Sequence, residues 1–330
     1  MRLIKRLILL ALVGGIGIGA YGYVRVTNYL DTAIGAAGTI ETVKIPKGIT
    51  FKRAVAQLSE AGVVTDPMVF EWYARMVEQT DVKAGTYAID LGTTPRDLLE
   101  QLGKGGLIPQ VKITVPEGLN KWEIADLLSE KGLVDRAKFL QKIDAEKLEG
   151  RLFPDTYQIR NDATLDQIVA RLTGRFDEVF SATIKGELPE GIESPEALLT
   201  LASLVEKEAR VDEERPIIAR VFLNRIAKGM KLQTDPTCVY GAELYTQKPH
   251  PRYCKDPANR YSTYVIDGLP PSPIANPGAA AIKAAMHPAE DDRAKTLLFF
   301  VAKQDGSGRH VFTADYKDHV RAVNRYLRGK

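Results

Sequence analysis

Cysteine is scarce in this chain. Its 330 residues hold two, Cys238 and Cys254. No cysteine stands near the N-terminus, which excludes a lipid-modified one there, and two thiols cannot make a cysteine-rich zinc site. In an oxidising compartment the pair is free to form a disulfide, and elsewhere it would stay as two thiols. Histidine is nearly as scarce: His250, His287, His310 and His319 are the only four. None has the spacing of a helical zinc motif, so no metal is expected. Charge of one sign is also lacking, with 45 Lys and Arg against 42 Asp and Glu and a net charge of +3. That balance offers no basic stripe, and no nucleic-acid partner is expected. No P-loop or dinucleotide fingerprint occurs, so no nucleotide cofactor is expected. "GSGRH" reads as a turn, and Ser203 has no nucleophile-elbow context.

What is present begins with one long apolar run. "LILLALVGGIGIGAYGYV", residues 7–24, carries no charge and follows Arg2, Lys5 and Arg6. As a helix it would rise roughly 27 Å, close to the thickness of a bilayer's hydrocarbon layer. The basic residues before it favour a cytoplasmic N-terminus and export of the remainder. Residues 1–30 are therefore expected to be a transmembrane anchor. The alternative is a cleaved signal peptide, with the small residues of "TAIGAAGT" as the processing site.

The fold class expected beyond the anchor is α+β. "VKIPKGITFKRAVAQLSEAGVV" (43–64) aligns with "ITVPEGLNKWEIADLLSEKGLV" (113–134). Each copy reads as a short strand, a Pro-x-Gly turn and an amphipathic helix ended by glycine. Residues 40–108 add further helices and a strand, including a helix announced by Thr94, Pro95 and Asp97. They make a small α+β module with no catalytic pattern. Residues 109–330 form a larger mixed α+β region: 109–148 is the repeat-like element and 149–330 the core. Within the core, residues 231–278 are long, irregular and rich in tyrosine and proline, as functional loops are.

The helix "LLTLASLVEKEAR" (198–210), capped by Ser194 with Pro195 at its first position, holds the most pointed feature. On a helical projection Leu198, Leu201, Ala202, Val205 and Ala209 share one arc. Glu206 falls between Ala202 and Leu199, and Glu208 between Leu201 and Leu204. A carboxyl at the flank of an apolar arc either snorkels to solvent or is desolvated enough to hold a proton near neutral pH. The second state suits protonation of a glycosidic oxygen. The projection does not choose between the two residues.

"EGRLFPDTY", "LASLVEKEA", "RVFLNRIAKGMKLQTDPTCVYG", "YSTYVIDGLPPSPIANPG" and "HVFTADYKDHVRAV", in this order, resemble the YceG-like family of endolytic murein transglycosylases. The likeness covers nearly the whole chain, and the small module resembles a LysM-like domain. It implies a single-pass protein of the bacterial inner membrane with a periplasmic catalytic domain. It implies cleavage of the MurNAc–GlcNAc bond within nascent glycan strands, leaving 1,6-anhydro-MurNAc ends without a cofactor. The family's catalytic glutamate falls on Glu206. Gln233, Thr234, Asp235 and Tyr240 of the "QTDPT" element, with Tyr261, Thr263 and Tyr264 of "YSTY", are the expected substrate-binding residues. Peptidoglycan strands are the implied partner, and peptidoglycan synthases a second one. Ser262 stands where the family usually has asparagine and Ser272 where it usually has glycine. The competing readings are a non-catalytic cell-wall scaffold, and a glycoside hydrolase that uses water and a second carboxylate.

Overall fold

The computed structural model describes residues 20–106, 110–161 and 163–327. They form two compact units, one built from residues up to 110 with 160–162, the other from 111–159 and 163 onward. The expected anchor lies mostly outside the described residues. Among those described, no helix is long and apolar enough to cross a membrane.

The first unit opens with helix α1 (described from residue 20 to 31), followed by β1 (Ile40–Ile45), α2 (Phe51–Glu60), α3 (Pro67–Met76), β2 (Gly85–Asp90) and α4 (Pro95–Lys104). β1 and β2 pair antiparallel, with Ile45 opposite Gly85 and Ile40 opposite Asp90. Alternation decides which side is buried: Val43, Ile45, Tyr87 and Ile89 turn inward onto Ala54, Val55, Leu58, Leu98 and Leu102. Thr94 caps α4 by accepting the Asp97 amide at 3.2 Å, while its hydroxyl donates to the Asp97 carboxylate at 2.7 Å.

The second unit begins with β3 (Gln110–Thr114), α5 (Lys121–Glu130), α6 (Arg136–Ala145), β4 (Thr156–Arg160) and α7 (Leu165–Thr183). It continues with α8 (Pro195–Glu208), α9 (Arg215–Ala227), the short α10 (Pro251–Cys254), α11 (Ala279–Met286), β5 (Phe299–Ala302), β6 (His310–Thr313) and α12 (Tyr316–Leu327). β3 pairs with β4, and β5 and β6 form an antiparallel hairpin. Both repeat copies take the same path. Gly48 and Gly118 turn the chain between strand and helix with φ of 80° and 78°, a conformation that side chains resist.

α8 is the central rod of this unit, packed against α9 and α11. Ser194 caps it through the Ala197 amide at 3.1 Å. Every residue from Leu198 to Val205 is buried. The leucines alone contribute about 1.5–3 kcal/mol each by leaving water. Two polar residues tolerate this position because they are satisfied locally: Thr200 donates to the Glu196 carbonyl, and Ser203 donates to Thr200 and accepts the Ile274 amide. A helix buried on all sides exposes chemistry only where it ends, and this one ends at Glu206–Glu208.

Candidate active site

The two glutamates part at the last turn of α8. Glu206 turns into an ion cluster, with Glu206 and Arg215 buried and Asp212 and Glu117 at its solvent rim. Its Oε1 accepts the Arg215 guanidinium at 3.1 Å, and its Oε2 accepts the Gly278 amide at 3.0 Å. The side chains of Glu206 and Arg215 are only 6% and 8% exposed. Arg215 also meets Asp212, and Glu117 at 3.8 Å. The Glu117 carboxyl is pushed up by burial and then by the charge of Glu206. Lys207 fastens the same corner by donating to the Gly118 carbonyl at 3.1 Å.

Glu208 faces a cavity of about 460 Å³ instead, shared with Gln233, Asp235 and Tyr264 from the irregular segment and with Phe299, His310 and His319 from the C-terminal elements. The Thr234 hydroxyl donates to its Oε1. Burial raises the Glu208 carboxyl above its ordinary range. The Asp235 carboxylate adds to the rise, and the Thr234 hydrogen bond, His310 and Arg225 oppose it. Asp235 accepts the Tyr264 hydroxyl at 2.6 Å. Arg225 lines the same cavity. It is held by the carbonyls of Leu298 at 2.7 Å and Leu232 at 2.6 Å, and burial lowers its pKa. Gln233 sits at φ 49°, a left-handed conformation uncommon for side chains and enriched at working sites. His310 is fixed from behind, with its Nδ1 2.8 Å from Glu214 and both side chains 7% exposed.

A second cavity, of about 480 Å³, borders the other end of α8 at Glu196, Leu199 and Thr200. Its buried carboxyl is Glu149. Glu149 accepts the Lys121 amide, the Tyr240 hydroxyl at 2.8 Å and the Asn276 side-chain amide at 2.9 Å. Burial nevertheless pushes it up to about 7. The rings of Tyr240 and Tyr261 lie 4.5 Å apart beside it.

The residues expected to form one cleft thus divide. Gln233, Asp235 and Tyr264 gather at Glu208. Tyr240 and Tyr261 line the Glu149 cavity. Thr234 and Thr263 are 2% and 0% exposed. Glu206 lines neither of these cavities. Cys238 and Cys254 are joined in a disulfide, which leaves no thiolate beside Asp235 to hold a metal. Ser262, in the place of asparagine, is fully buried and donates to the Cys254 carbonyl at 2.6 Å, so it braces the disulfide loop. Ser272 is not among the positive-φ residues. Sequence reasoning missed Glu149 and Arg225. The signal for Arg225 was its place on the same helical face as Ile218 and Phe222, both buried.

Residues 43–325 match the YceG-like family. The chain is 30% identical over 320 residues to the endolytic murein transglycosylase of Bacillus subtilis (strain 168), covering 88% of this chain and 86% of that one. It is 29% identical over 357 residues to the endolytic murein transglycosylase of Streptococcus pneumoniae (strain ATCC BAA-255 / R6), covering 94% of this chain and 63% of that one. The crystal structure of a yceG-like protein from Listeria monocytogenes is similar with a TM-score of 0.54 and 26% identity, over 87% of this chain and 99% of that one.

Proposed function

The chain belongs to the YceG-like family, and from that premise we infer that it is an endolytic murein transglycosylase, a lyase that cuts peptidoglycan strands. The observation that carries the chemistry is the place of Glu208: a part-buried carboxyl, raised by burial, on a cavity it shares with Gln233, Asp235 and Tyr264. The resemblance put the acid on Glu206. The geometry favours its neighbour two residues on, because Glu206 is already occupied by Arg215 and the Gly278 amide.

In this reading Glu208 enters the reaction neutral and protonates the oxygen that links MurNAc C1 to GlcNAc. The C1–O bond breaks with its electron pair on that oxygen. The C6 hydroxyl of the same MurNAc then bonds to C1, and Glu208, now a carboxylate, takes its proton. The product is a 1,6-anhydro end, and no water is consumed. Arg225 supplies fixed positive charge to the cavity as the carboxylate forms.

Asp235 on the same cavity favours a second reading, a hydrolase in which the two carboxylates flank the bond. Mass spectrometry of products from uncrosslinked glycan strands separates them. Transglycosylation gives internal fragments lighter by one water than the reducing ends of hydrolysis. The full-length chain in detergent, E206Q and E208Q are compared. Loss with E208Q alone supports the reading, and loss with E206Q alone returns the acid to Glu206. Strands bound but uncut by the wild type would mark a scaffold.

Residues 1–30 are read as the anchor that holds the enzyme in the inner membrane with its catalytic unit in the periplasm. Residues 40–108 are read as a LysM-like strand-binding module. Cutting of nascent strands would set their length and bring the enzyme beside the peptidoglycan synthases. Membrane fractionation with protease protection tests the topology.

A further inference from the structure

Behind Glu208 three buried threonines form a closed ring of hydrogen bonds, and proton counting fixes its direction. Thr237 Oγ lies 2.6 Å from the Thr234 carbonyl. A carbonyl only accepts, so the one hydroxyl proton of Thr237 is spent there. The hydroxyls of Thr237 and Thr263 lie 3.0 Å apart, so Thr263 is the donor of that pair. Thr263 Oγ in turn accepts the Thr234 amide at 2.9 Å, and Thr237 Oγ accepts the Thr263 amide at 3.1 Å. Thr234, Thr237 and Thr263 are 2%, 0% and 0% exposed. Both polar groups of the Thr234 backbone are therefore held by side chains of the ring. Its own hydroxyl is left to meet Glu208 Oε1.

We propose that Thr234 selects which oxygen of Glu208 carries the catalytic proton, and that Thr237 and Thr263 are positioning residues that hold Thr234 for this task. The proposal rests on the reading of Glu208 as the acid. Thr234 has one hydroxyl proton, and among the described residues its side chain has no acceptor besides Glu208. If the neutral acid kept its proton on Oε1, that proton would point at Thr234 Oγ and leave the buried Thr234 proton without an acceptor. With Thr234 donating to Oε1, the acid proton sits on Oε2. That oxygen has no hydrogen-bond partner among the described residues, and Glu208 lines the cavity. The proton passed to the leaving oxygen, and the one returned from the C6 hydroxyl, both travel through Oε2. The ring thus converts a carboxyl with two equivalent oxygens into one with a single working face.

The test compares the full-length wild type with T263V, T263S, T234V, T234S and E208Q on uncrosslinked glycan strands, reading kcat, KM and the pH profile of kcat/KM. T263V keeps the volume and removes the hydroxyl. Its kcat is expected to fall about tenfold or more, with KM nearly unchanged. A hydrogen bond donated to the carboxylate lowers the Glu208 pKa, so loosening it moves the alkaline limb to higher pH. T263S is expected to restore both the rate and the limb. A purely structural threonine would change the amount of folded enzyme and leave the limb in place. Should T263V fail to fold, T234V against T234S makes the same comparison. E208Q inactive, with both valine variants matching wild type in rate and limb, overturns the proposal and leaves Glu208 as the acid. An active E208Q overturns the reading of Glu208 and the proposal together.

Discussion

The Glu206 carboxylate and the Arg215 guanidinium lie 3.1 Å apart, with side chains 6% and 8% exposed. This pair ties the end of α8 to the start of α9. Its partial loss leaves a buried charge, which commonly costs about 3–5 kcal/mol. Asp212 and Glu117 remain near Arg215. E206Q is therefore expected to lose about 2–3 kcal/mol of stability in denaturant titration. The folded fraction should keep most of its turnover. E208Q should do the reverse, with a near-native denaturation midpoint and a fall in kcat of about 10²-fold or more.

Glu149 makes stability depend on pH. Its pKa is raised from 4.5 to about 7 in the folded chain. Between those values the folded state holds a proton that the unfolded chain has released. The stabilisation is complete below the unfolded value and is lost as pH rises through about 7. The difference is worth about 3 kcal/mol. Thermal unfolding from pH 4.5 to 8 should show a falling midpoint, and the same series on E149Q should be flatter. An equal slope in both proteins would assign the pH dependence elsewhere.

The disulfide joins positions 16 residues apart and ties the 3-10 turn Asp235–Val239 to α10. Closing a loop of that size stabilises by about 3 kcal/mol, mostly by restricting the unfolded chain. The C238S/C254S double variant should lose about 3 kcal/mol of stability in denaturant titration. Asp235 stands in the tied turn, so activity should fall as well. Reductant should reproduce both effects in the wild type and neither in the variant.

Gly150 has φ 87°, and a Cβ there would stand 2.7 Å from Pro273 Cγ and 3.1 Å from Leu199 Cδ2. G150A combines a left-handed backbone with overpacking, for a loss of about 2–4 kcal/mol. Gly174 has nothing within 4 Å of a built Cβ and lies inside α7. G174A should be neutral or stabilising, which makes it the control in the same denaturation experiment.

Local signals were legible in the sequence. Ser194 with Pro195, and Thr94 with Pro95 and Asp97, announced helices that begin at those positions. The repeated Pro-x-Gly turns announced the two strand–turn–helix units. The "QTDPT" and "YSTY" elements do meet, with the Gln233 amide donating to the Thr263 carbonyl at 3.2 Å. Which glutamate would face the cavity was not legible, because each lies at a flank of the apolar arc. The choice is made by partners distant in sequence: Gly278, 72 residues from Glu206, and Thr234, 26 residues from Glu208. Nor could spacing show that Tyr240 and Tyr261 would leave Asp235 and Tyr264 for another cavity. Glu149 accepts the Tyr240 hydroxyl there, and Tyr261 packs its ring on Tyr240 while its hydroxyl meets Ser272.

One wall of the Glu208 cavity comes from Phe299, Phe300, His310, Tyr316, His319 and Leu327. These residues are made after every other part of the site. While the chain is still being synthesised, Glu208, Thr234 and Tyr264 exist before that wall does. A chain interrupted before residue 299 would therefore carry Glu208 without the chamber it faces.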